Sequence, residues 1–238
     1  MKKANLENTP IRLNKYLSDA GFCSRREADR LIEKGKIYVD GKVALVGQKV
    51  TYNQKIECDG KKISRENELI LIAFNKPRGL ICSTVDKEGK NIVDYIDYGK
   101  RIYPIGRLDK ESEGLILLTN DGSISDKILR SRNNHEKEYI VTVDKDITDE
   151  FIRGMSSGVP ILDVITKKCR VKKIDSKTFN IVLTQGLNRQ IRRMCEYFGY
   201  KVKKLKRIRI LNIKLGDLPT GKYRDITNEE MEKLKKII

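Results

Sequence analysis

The sequence predicts an α+β protein built from two domains of unequal size. Between Ile11 and Ile63, two short helical patterns precede strand-like pieces and an Asp-Gly turn. From Leu69 onward, buried-type strands and short helices follow one another without the regular strand–helix alternation of a doubly wound sheet. We therefore expect an N-terminal tail over residues 1–10, a small domain over 11–63, a polar linker over 64–68 and a larger domain over 69–238.

Two capped helices open the small domain. The first carries apolar residues at helical spacing from Leu13 to Ala20 and ends at Gly21, a residue suited to a helix C-terminus. Ser24 and Glu27 form the S-x-x-E pattern of a capping box, which starts the second helix. The strand-like pieces that follow predict a small hairpin sheet.

Basic residues gather on these two helices. Arginines at positions i and i+4 of the second helix share one face, and we expect that face to contact a polyanion. Ordinary solubilising charge is the alternative interpretation. The candidate contacts are Arg12, Lys15, Arg25, Arg26 and Arg30.

The composition favours a nucleic-acid partner. Fifty Lys and Arg against 33 Asp and Glu give a formal charge of +17, and neutralising phosphates releases condensed counterions. An anionic membrane is the rival polyanion, but no long basic amphipathic helix is predicted. Because Met1 to Pro10 lacks the apolar segment of a signal peptide and no apolar run reaches membrane-spanning length, we expect a cytoplasmic protein.

Cysteine and histidine usage argues against a metal site. The five cysteines are far apart and never spaced as C-x-x-C, and His135 is the single histidine. We expect reduced thiols in or near the cores. His135 falls in the polar run Ser131 to Glu138, which predicts a solvated loop histidine.

The stretch Pro104 to Gly122 places a charged loop directly before a buried strand, Leu115 to Leu118. Arg107 and Lys110 flank Asp109, and nearby cations favour an ionised carboxylate. The functional interpretation is an anionic nucleophile or stabiliser beside cations that grip phosphate. A solvated turn with a surface ion pair is the alternative.

The remaining elements of the larger domain follow from periodicity. Tyr139, Val141 and Val143 alternate on one face of a predicted strand that begins at Glu138. The other predicted elements are a strand over Leu69 to Phe74, a helix marked by Ile124, Ile128 and Leu129, a helix over Thr148 to Met155, strands near Val164 to Val171 and Phe179 to Leu183, and a capped helix starting at Thr227 and Glu230.

A second charged stretch spans Gln185 to Gly199. Arg189, Arg192 and Arg193 cluster at the start of a predicted helix, where cations oppose the macrodipole, so we expect an anion there. Lys201 to Arg209 then alternates cations with apolar residues. It is either a strand with one face toward nucleic acid or a solvated sheet edge.

The residues themselves suggest glycosidic chemistry. The sequence has no phosphate-binding glycine loop and no Ser-His-Asp set. One embedded aspartate, an arginine-rich helix start and tyrosines able to stack on a base remain. A carboxylate suits the oxocarbenium-like transition state of a glycosidic bond, in a nucleotide that has first been pulled from its stack.

The sequence resembles two known families. The segment RLNKYLSDAGFCSRREADRLIEKGKIYVDGK resembles the S4-like, or alpha-L, RNA-binding domain. Together with GRLDKESEGLILLTNDG, EKEYIVTV and QGLNRQIRRMCEYFGY, it closely resembles the bacterial ribosomal pseudouridine synthases. The resemblance implies a mixed, mainly antiparallel sheet and isomerisation of uridine to pseudouridine in RNA without a cofactor, and we expect large-subunit (23S) ribosomal RNA as the substrate. The sequence leaves open whether a transfer RNA is a second target, and a monomer is the default expectation.

The resemblance also assigns residues. Asp109 matches the catalytic aspartate, Arg107 the arginine that displaces the target nucleotide, Tyr139 the tyrosine that stacks on the base, and Arg192 the cation paired with the carboxylate. Arg189 and Gln190 would line the RNA path, and Ile191 faces that path or the core. The substrate contacts further include Leu108, Lys110 and Lys76, the last in an N-K-P-R-G turn with Arg78 that touches phosphate or shapes the loop.

The sequence leaves two rival functions open. One is a non-catalytic RNA-binding or ribosome-assembly protein, against which the intact Arg107, Asp109, Tyr139 and Arg192 count. The other is a hydrolytic enzyme that would release free uracil.

Overall fold

The computed structural model of the chain describes residues 9–64, 68–82, 91–129 and 134–238. The chain divides into two compact units, Met1–Leu69 with Gly99–Ile102, and Ile70–Tyr98 with Tyr103–Ile238. Most of the predicted tail and residues 65–67 of the predicted linker lie outside the described residues. Within the described ranges, no helix is long and apolar enough to cross a membrane.

The smaller unit packs two helices against short antiparallel strands. The helices are α1 (Leu13–Asp19) and α2 (Arg25–Glu33), and the strands are β1 (Ile11–Arg12), β2 (Ile37–Val39), β3 (Lys42–Val43), β4 (Lys49–Val50), β5 (Ile56–Cys58) and β6 (Lys61–Lys62). Four of them form a sheet in the order β3-β2-β5-β6, while β1 pairs with β4. Leu17, Ala28, Ile37 and Ile56 lie in the core of this unit with no exposed surface.

The predicted cap of α2 forms in part. Ser24 Oγ accepts a hydrogen bond from the Glu27 backbone N–H at 3.1 Å. The reciprocal half of the capping box does not form, because the Glu27 carboxylate accepts a hydrogen bond from Arg30 at 3.2 Å instead. Arg25, Arg26 and Arg30 are all exposed on α2, and we call these three side chains the basic face.

The other two predicted contacts of this unit lie on or before α1. Arg12 precedes the helix as its exposed N-cap residue. Lys15 is half-buried and pairs with Asp19 one turn further along. Lys15 is therefore partly engaged within the helix, whereas Arg12 is available to a partner.

The larger unit is built on one mixed sheet. The strands of this unit are β7 (Leu71–Lys76), β8 (Tyr103–Pro104), β9 (Glu113–Thr119), β10 (Lys137–Val143), β11 (Pro160–Ile161), β12 (Val164–Ile165), β13 (Arg170–Lys173), β14 (Thr178–Leu183), β15 (Val202–Ile210), β16 (Ile213–Lys214) and β17 (Tyr223–Asp225). All belong to this sheet except β11 and β12, which pair with each other in a separate two-stranded sheet. The main path runs β13-β14-β10-β15-β9-β7-β17, with β16 beside β15 and β8 beside β9. Strands β9 and β15 pair in parallel, and the other pairs are antiparallel.

Five helices of this unit fall within the described ranges. They are α3 (Ile92–Ile96), α4 (Gly122–Leu129), α5 (Asp149–Ser157), α6 (Gln190–Tyr197) and α7 (Asn228–Ile237). The predicted capping box of α7 is confirmed, because Thr227 Oγ1 accepts from the Glu230 N–H at 3.1 Å and the Glu230 carboxylate accepts from the Thr227 N–H at 3.0 Å. These two bonds satisfy backbone donors that the first helical turn leaves without a partner.

Three predictions from the sequence need correction. His135 is 5% exposed, and its Nδ1 donates to the Ile128 carbonyl oxygen at 2.9 Å, so it is a buried histidine rather than a solvated one. The segment containing Arg209 is no sheet edge, because β15 lies between β10 and β9. The strand predicted to start at Leu69 starts at Leu71.

The thiols behave as buried side chains. All five cysteines are free. Burial raises the pKa of Cys195 to about 12 and the pKa values of Cys23 and Cys169 to about 11. Raised pKa values of this kind make a thiol unreactive, so the cysteines are packing residues.

Candidate active site

The loop that carries Asp109 is held at three points. The Ser112 N–H donates to the Asp109 carbonyl at 3.0 Å and closes a turn, and the Gly79 N–H donates to the Lys110 carbonyl at 2.8 Å. The Leu108 N–H donates to the buried thiol sulfur of Cys82 at 3.4 Å. The Asp109 carboxylate therefore projects from a loop whose backbone is fixed.

Gly114 fixes the far end of this loop against strand β15. Its φ angle is +103°, and a Cβ atom added there would lie 2.3 Å from the Arg207 carbonyl oxygen and 2.7 Å from the Arg207 nitrogen. Gly114 and Arg207 are register partners in the parallel pairing of β9 with β15. Only glycine permits this approach, so the position of the Asp109 loop depends on the absence of a side chain at residue 114.

Arg192 on α6 lies behind Asp109. Its Nε is 3.9 Å from Asp109 Oδ2, and its other nitrogens donate to Ser112 Oγ at 3.3 Å and to the carbonyl oxygens of Glu111 and Val202 at 3.4 Å each. The Arg192 side chain is 10% exposed, whereas the Asp109 side chain is 35% exposed. The guanidinium is thus buried and oriented, while the carboxylate remains accessible to a ligand.

The electrostatics at the start of α6 agree with this geometry. Burial lowers the pKa of Arg192, and the neighbouring charge of Arg189 lowers it further, while Asp109 and Glu111 act in the opposite direction. The anion expected from the arginine-rich helix start is therefore the carboxylate of Asp109. The apolar residues of this helix, Ile191, Met194 and Cys195, are buried as the periodicity predicts.

Tyr139 lies on β10, two strands away from the start of β9. It is 9% exposed and pairs with Ile181 on one side and with Arg207 on the other. Because Arg207 in turn pairs with Gly114, the three residues lie side by side on neighbouring strands. The fold therefore brings Tyr139 to the strands that hold the Asp109 loop.

Four predicted substrate contacts are buried. Lys76 has no exposed surface, and its Nζ donates to the Pro77 carbonyl at 3.0 Å and to the Leu80 carbonyl at 2.9 Å. Burial lowers the pKa of Lys76, against the opposing charges of Cys82 and Asp109. Of the two roles that the sequence leaves open for Lys76, its burial and these hydrogen bonds favour shaping the N-K-P-R-G turn over a phosphate contact.

The other three, Leu108, Gln190 and Ile191, are 4–7% exposed. Gln190 Oε1 accepts a hydrogen bond from the Leu187 N–H at 3.0 Å and so closes the turn before α6. A direct RNA contact by these three side chains is not supported by their burial. By contrast, Arg107, Lys110 and Arg189 are exposed, and Arg78 pairs with Glu111 at 3.5 Å on the surface.

Two basic residues next to Tyr139 were not predicted as site residues from the sequence. Arg207 is 3% exposed, and its Nε donates to the Leu115 carbonyl at 2.6 Å. Lys137 precedes Tyr139 on the same strand and is half-buried. Lys137 was detectable as the lysine two residues before Tyr139 in the segment EKEYIVTV, but nothing in the pattern of β15 distinguishes Arg207 from its neighbouring cations.

Comparison with known proteins identifies the class. Residues 70–197 match the family model described as RNA pseudouridylate synthase, and residues 11–56 match the S4 domain. A crystal structure of a pseudouridylate synthase has a TM-score of 0.70 and 28% identity, and covers 94% of this chain and 99% of that chain. The predicted fold, an S4 domain followed by a mixed, mainly antiparallel catalytic domain, is confirmed.

Individual relatives agree with this class. Dual-specificity RNA pseudouridine synthase RluF of Escherichia coli (strain K12) is 57% identical over 235 residues, 98% of this chain and 81% of that protein. Ribosomal large subunit pseudouridine synthase B of Bacillus subtilis (strain 168) is 36% identical over 233 residues, 94% of this chain and 95% of that protein. The chain belongs to the RNA pseudouridine synthase family, as its three motifs predict, and it is an enzyme that converts uridine in RNA to pseudouridine.

Proposed function

We propose that this enzyme isomerises a specific uridine of large-subunit (23S) ribosomal RNA and that a transfer RNA carries a second target. The observation that supports the assignment of the site most is the accessible Asp109 carboxylate, 3.9 Å from the buried guanidinium of Arg192. The names of two relatives, a dual-specificity enzyme and a ribosomal large subunit enzyme, support the choice of substrates.

Asp109 acts on the reacting nucleotide. Breaking the bond between ribose C1′ and uracil N1 develops positive charge on the sugar, and a carboxylate beside that carbon stabilises it. Arg192 holds the carboxylate in place through a guanidinium that is itself fixed by Ser112 and by backbone carbonyls. Its Nε has no hydrogen-bond partner among the described residues, so we expect the 3.9 Å contact to shorten when RNA binds.

The target base must leave its stack to reach this site. We assign Arg107 to displacing the nucleotide, and Lys110 and Arg189 to the flanking phosphates, because all three are exposed cations next to Asp109 or Arg192 in the chain. Tyr139 stacks on the displaced uracil. The basic face, with Arg12, contacts structured RNA through its backbone and shape.

We also propose where the enzyme acts and in which oligomeric state. We place the enzyme in the cytoplasm, where ribosomal and transfer RNAs are found, and propose that it works as a monomer. The formal charge of +17 supports steering toward these polyanions.

A tritium-release assay tests the proposal. Ribosomal and transfer RNA transcripts carrying uridine tritiated at C5 are incubated with the purified enzyme, since forming the bond to C5 expels that hydrogen into water. We expect release that reaches one tritium per RNA molecule for each substrate, with Asp109→Asn inactive and the exposed Asp217→Asn variant, a matched control, as active as the wild type.

Other outcomes would separate the rival functions. Release of free uracil would identify a hydrolytic enzyme, since an isomerase keeps the base attached to the ribose. Tight RNA binding without tritium release would support the non-catalytic RNA-binding function. Release from only one of the two RNAs would overturn the dual specificity proposed for this chain.

A further inference from the structure

Two basic side chains beside Tyr139 have no acidic partner among the described residues. Arg207 is 3% exposed, its Nε bonds to the Leu115 carbonyl, and its Nη2 is buried with no hydrogen-bond partner in the described ranges. Lys137 is half-buried, and its Nζ forms no hydrogen bond or ion pair with any residue that the structure describes. Taking an unpaired charge out of water is costly, so such a pair indicates an anionic or carbonyl-bearing ligand.

The two cations and the stacking tyrosine share one face of the sheet. Lys137 and Tyr139 are separated by one residue on β10, so their side chains point the same way about 7 Å apart along the strand. Their partners on β14 are Leu183 and Ile181, in unbroken register. Arg207, on β15, is the residue opposite Tyr139. A base stacked on Tyr139 would therefore lie within reach of the long Lys137 side chain.

The charges of this patch interact with one another. Burial lowers the pKa of Lys137, and the charge of Arg207 lowers it further. The charge of Arg207 also contributes to lowering the pKa of Lys76, chiefly a result of burial, while the charge of Asp109 acts in the opposite direction. Among the described residues, Arg207 is the one titratable group that shifts the pKa of Lys137. The residues opposite Lys137 on β14 and β15 are the apolar Leu183 and Ile210.

We propose that Lys137 is a further catalytic residue, whose ammonium group contacts a carbonyl oxygen of the target uracil and, supported by the Arg207 guanidinium, stabilises the negative charge that the ring acquires. This inference rests on the proposed function of the Asp109 site. When the bond from C1′ to N1 breaks, its electron pair stays on the ring and spreads to both carbonyl oxygens. The ring then turns, C5 donates an electron pair to C1′, the C5 proton leaves to a base, and N1 takes up a proton, so atoms and charge balance.

The proposal predicts a specific pH dependence. We compare single-turnover rates of the wild type and Lys137→Met with saturating RNA. Losing one hydrogen-bond donor to a developing anion lowers the rate about 10²-fold. We therefore expect the wild type to be faster than Lys137→Met by this factor near neutral pH. The ratio of the wild-type rate to the Lys137→Met rate should shrink as the pH rises, because a deprotonated Lys137 no longer carries the positive charge that stabilises the anion. If Lys137 were instead the base that takes the C5 proton, the ratio would grow with pH, which would overturn the proposal.

Two further variants separate charge from structure. Lys137→Arg keeps a cation at high pH, so its rate should exceed that of Lys137→Met and lose the alkaline decline. Lys172→Met removes an exposed lysine of β13 and should match the wild type. Because Lys137→Met also removes an unpaired, half-buried charge, we expect it to melt at the wild-type temperature or above. A lower melting temperature with an equal loss in Lys137→Arg would show a structural role.

The leaving group offers an independent test. Fluorine at C5 makes uracil a more stable anion, so RNA with 5-fluorouridine at the target depends less on Lys137. The rate at which intact 5-fluorouridine disappears from digests should differ between the wild type and Lys137→Met by about tenfold at most, well below the loss of about 10²-fold expected with uridine. Equal losses on both substrates would refute charge stabilisation. A wild type that is inactive on the RNA carrying unmodified uridine would instead refute the proposed function itself.

Discussion

Replacing Gly114 by alanine tests how the strands hold the Asp109 loop. The new Cβ would lie 2.3 Å from the Arg207 carbonyl oxygen, and that atom belongs to the backbone of an interior strand, so β15 or β9 must move. Overpacking of this kind costs about 1–3 kcal/mol. The φ of +103° adds a conformational cost of about 1–3 kcal/mol for a residue with a side chain.

These two costs set the expected result. Together they give a loss of about 4 kcal/mol in the free energy of unfolding. For a chain of this length each kcal/mol lowers the melting temperature by about 2–4 °C, so Gly114→Ala should melt about 8–16 °C below the wild type. Arg207 and the Asp109 loop would shift together, and a misplacement of about 1 Å can reduce turnover about 10²-fold.

Thermal melting by circular dichroism, with turnover measured well below the transition, checks both parts. Gly186→Ala is the matched control, because a Cβ at Gly186 meets no atom within 4 Å and its φ is not in the left-handed region. That control should stay within about 0.5 kcal/mol of the wild type. If Gly114→Ala melts at the same temperature as Gly186→Ala and retains full turnover, the close approach of β9 and β15 does not determine the geometry of the site.

Three further predictions concern the ion pair, the basic face and the last helix. Arg192→Lys keeps a positive charge but loses the fork that reaches the Ser112 hydroxyl and two carbonyls, so kcat should fall about 10²-fold while RNA affinity stays near the wild-type value in a filter-binding assay. Changing the three arginines of the basic face to glutamine should weaken RNA binding and flatten the slope of log affinity against log salt by about 0.7–0.9 for each phosphate that is no longer neutralised; an unchanged slope would contradict their role. Thr227→Ala removes the confirmed capping box and should cost about 1 kcal/mol, seen as a melting temperature about 2–4 °C lower with turnover unaffected.

Local patterns predicted most of the elements correctly. The caps at Ser24 and Thr227, the buried strand from Leu115 to Leu118 and the alternating strand that carries Tyr139 each depend on residues close together in the chain. The same is true of the three motifs that identify the family. Patterns of this kind are visible because helix and strand periodicities are fixed by backbone geometry.

Burial of polar side chains was not predictable in the same way. Lys76 and His135 occupy polar stretches of sequence, yet both are buried, and each donates to backbone carbonyls within seven residues in the chain. The types of the residues alone do not show which way those carbonyls point. The interior position of β15 depends on pairing with strands far away in the chain, which overrides its high content of cations. Arg207 gains its place beside Tyr139 through that same pairing, so the sequence alone marks it only as one cation among several.

The central claim is that Asp109 carries out uridine isomerisation in RNA. Its most direct test uses cells that lack this protein and express either the wild type or Asp109→Ala, with pseudouridines mapped by carbodiimide-dependent primer-extension stops in ribosomal and transfer RNAs. We expect a large-subunit stop that disappears in the deletion strain, returns with the wild type and stays absent with Asp109→Ala, even though the purified variant binds the RNA within a few fold of the wild type. Full restoration by Asp109→Ala would contradict a catalytic role for this carboxylate.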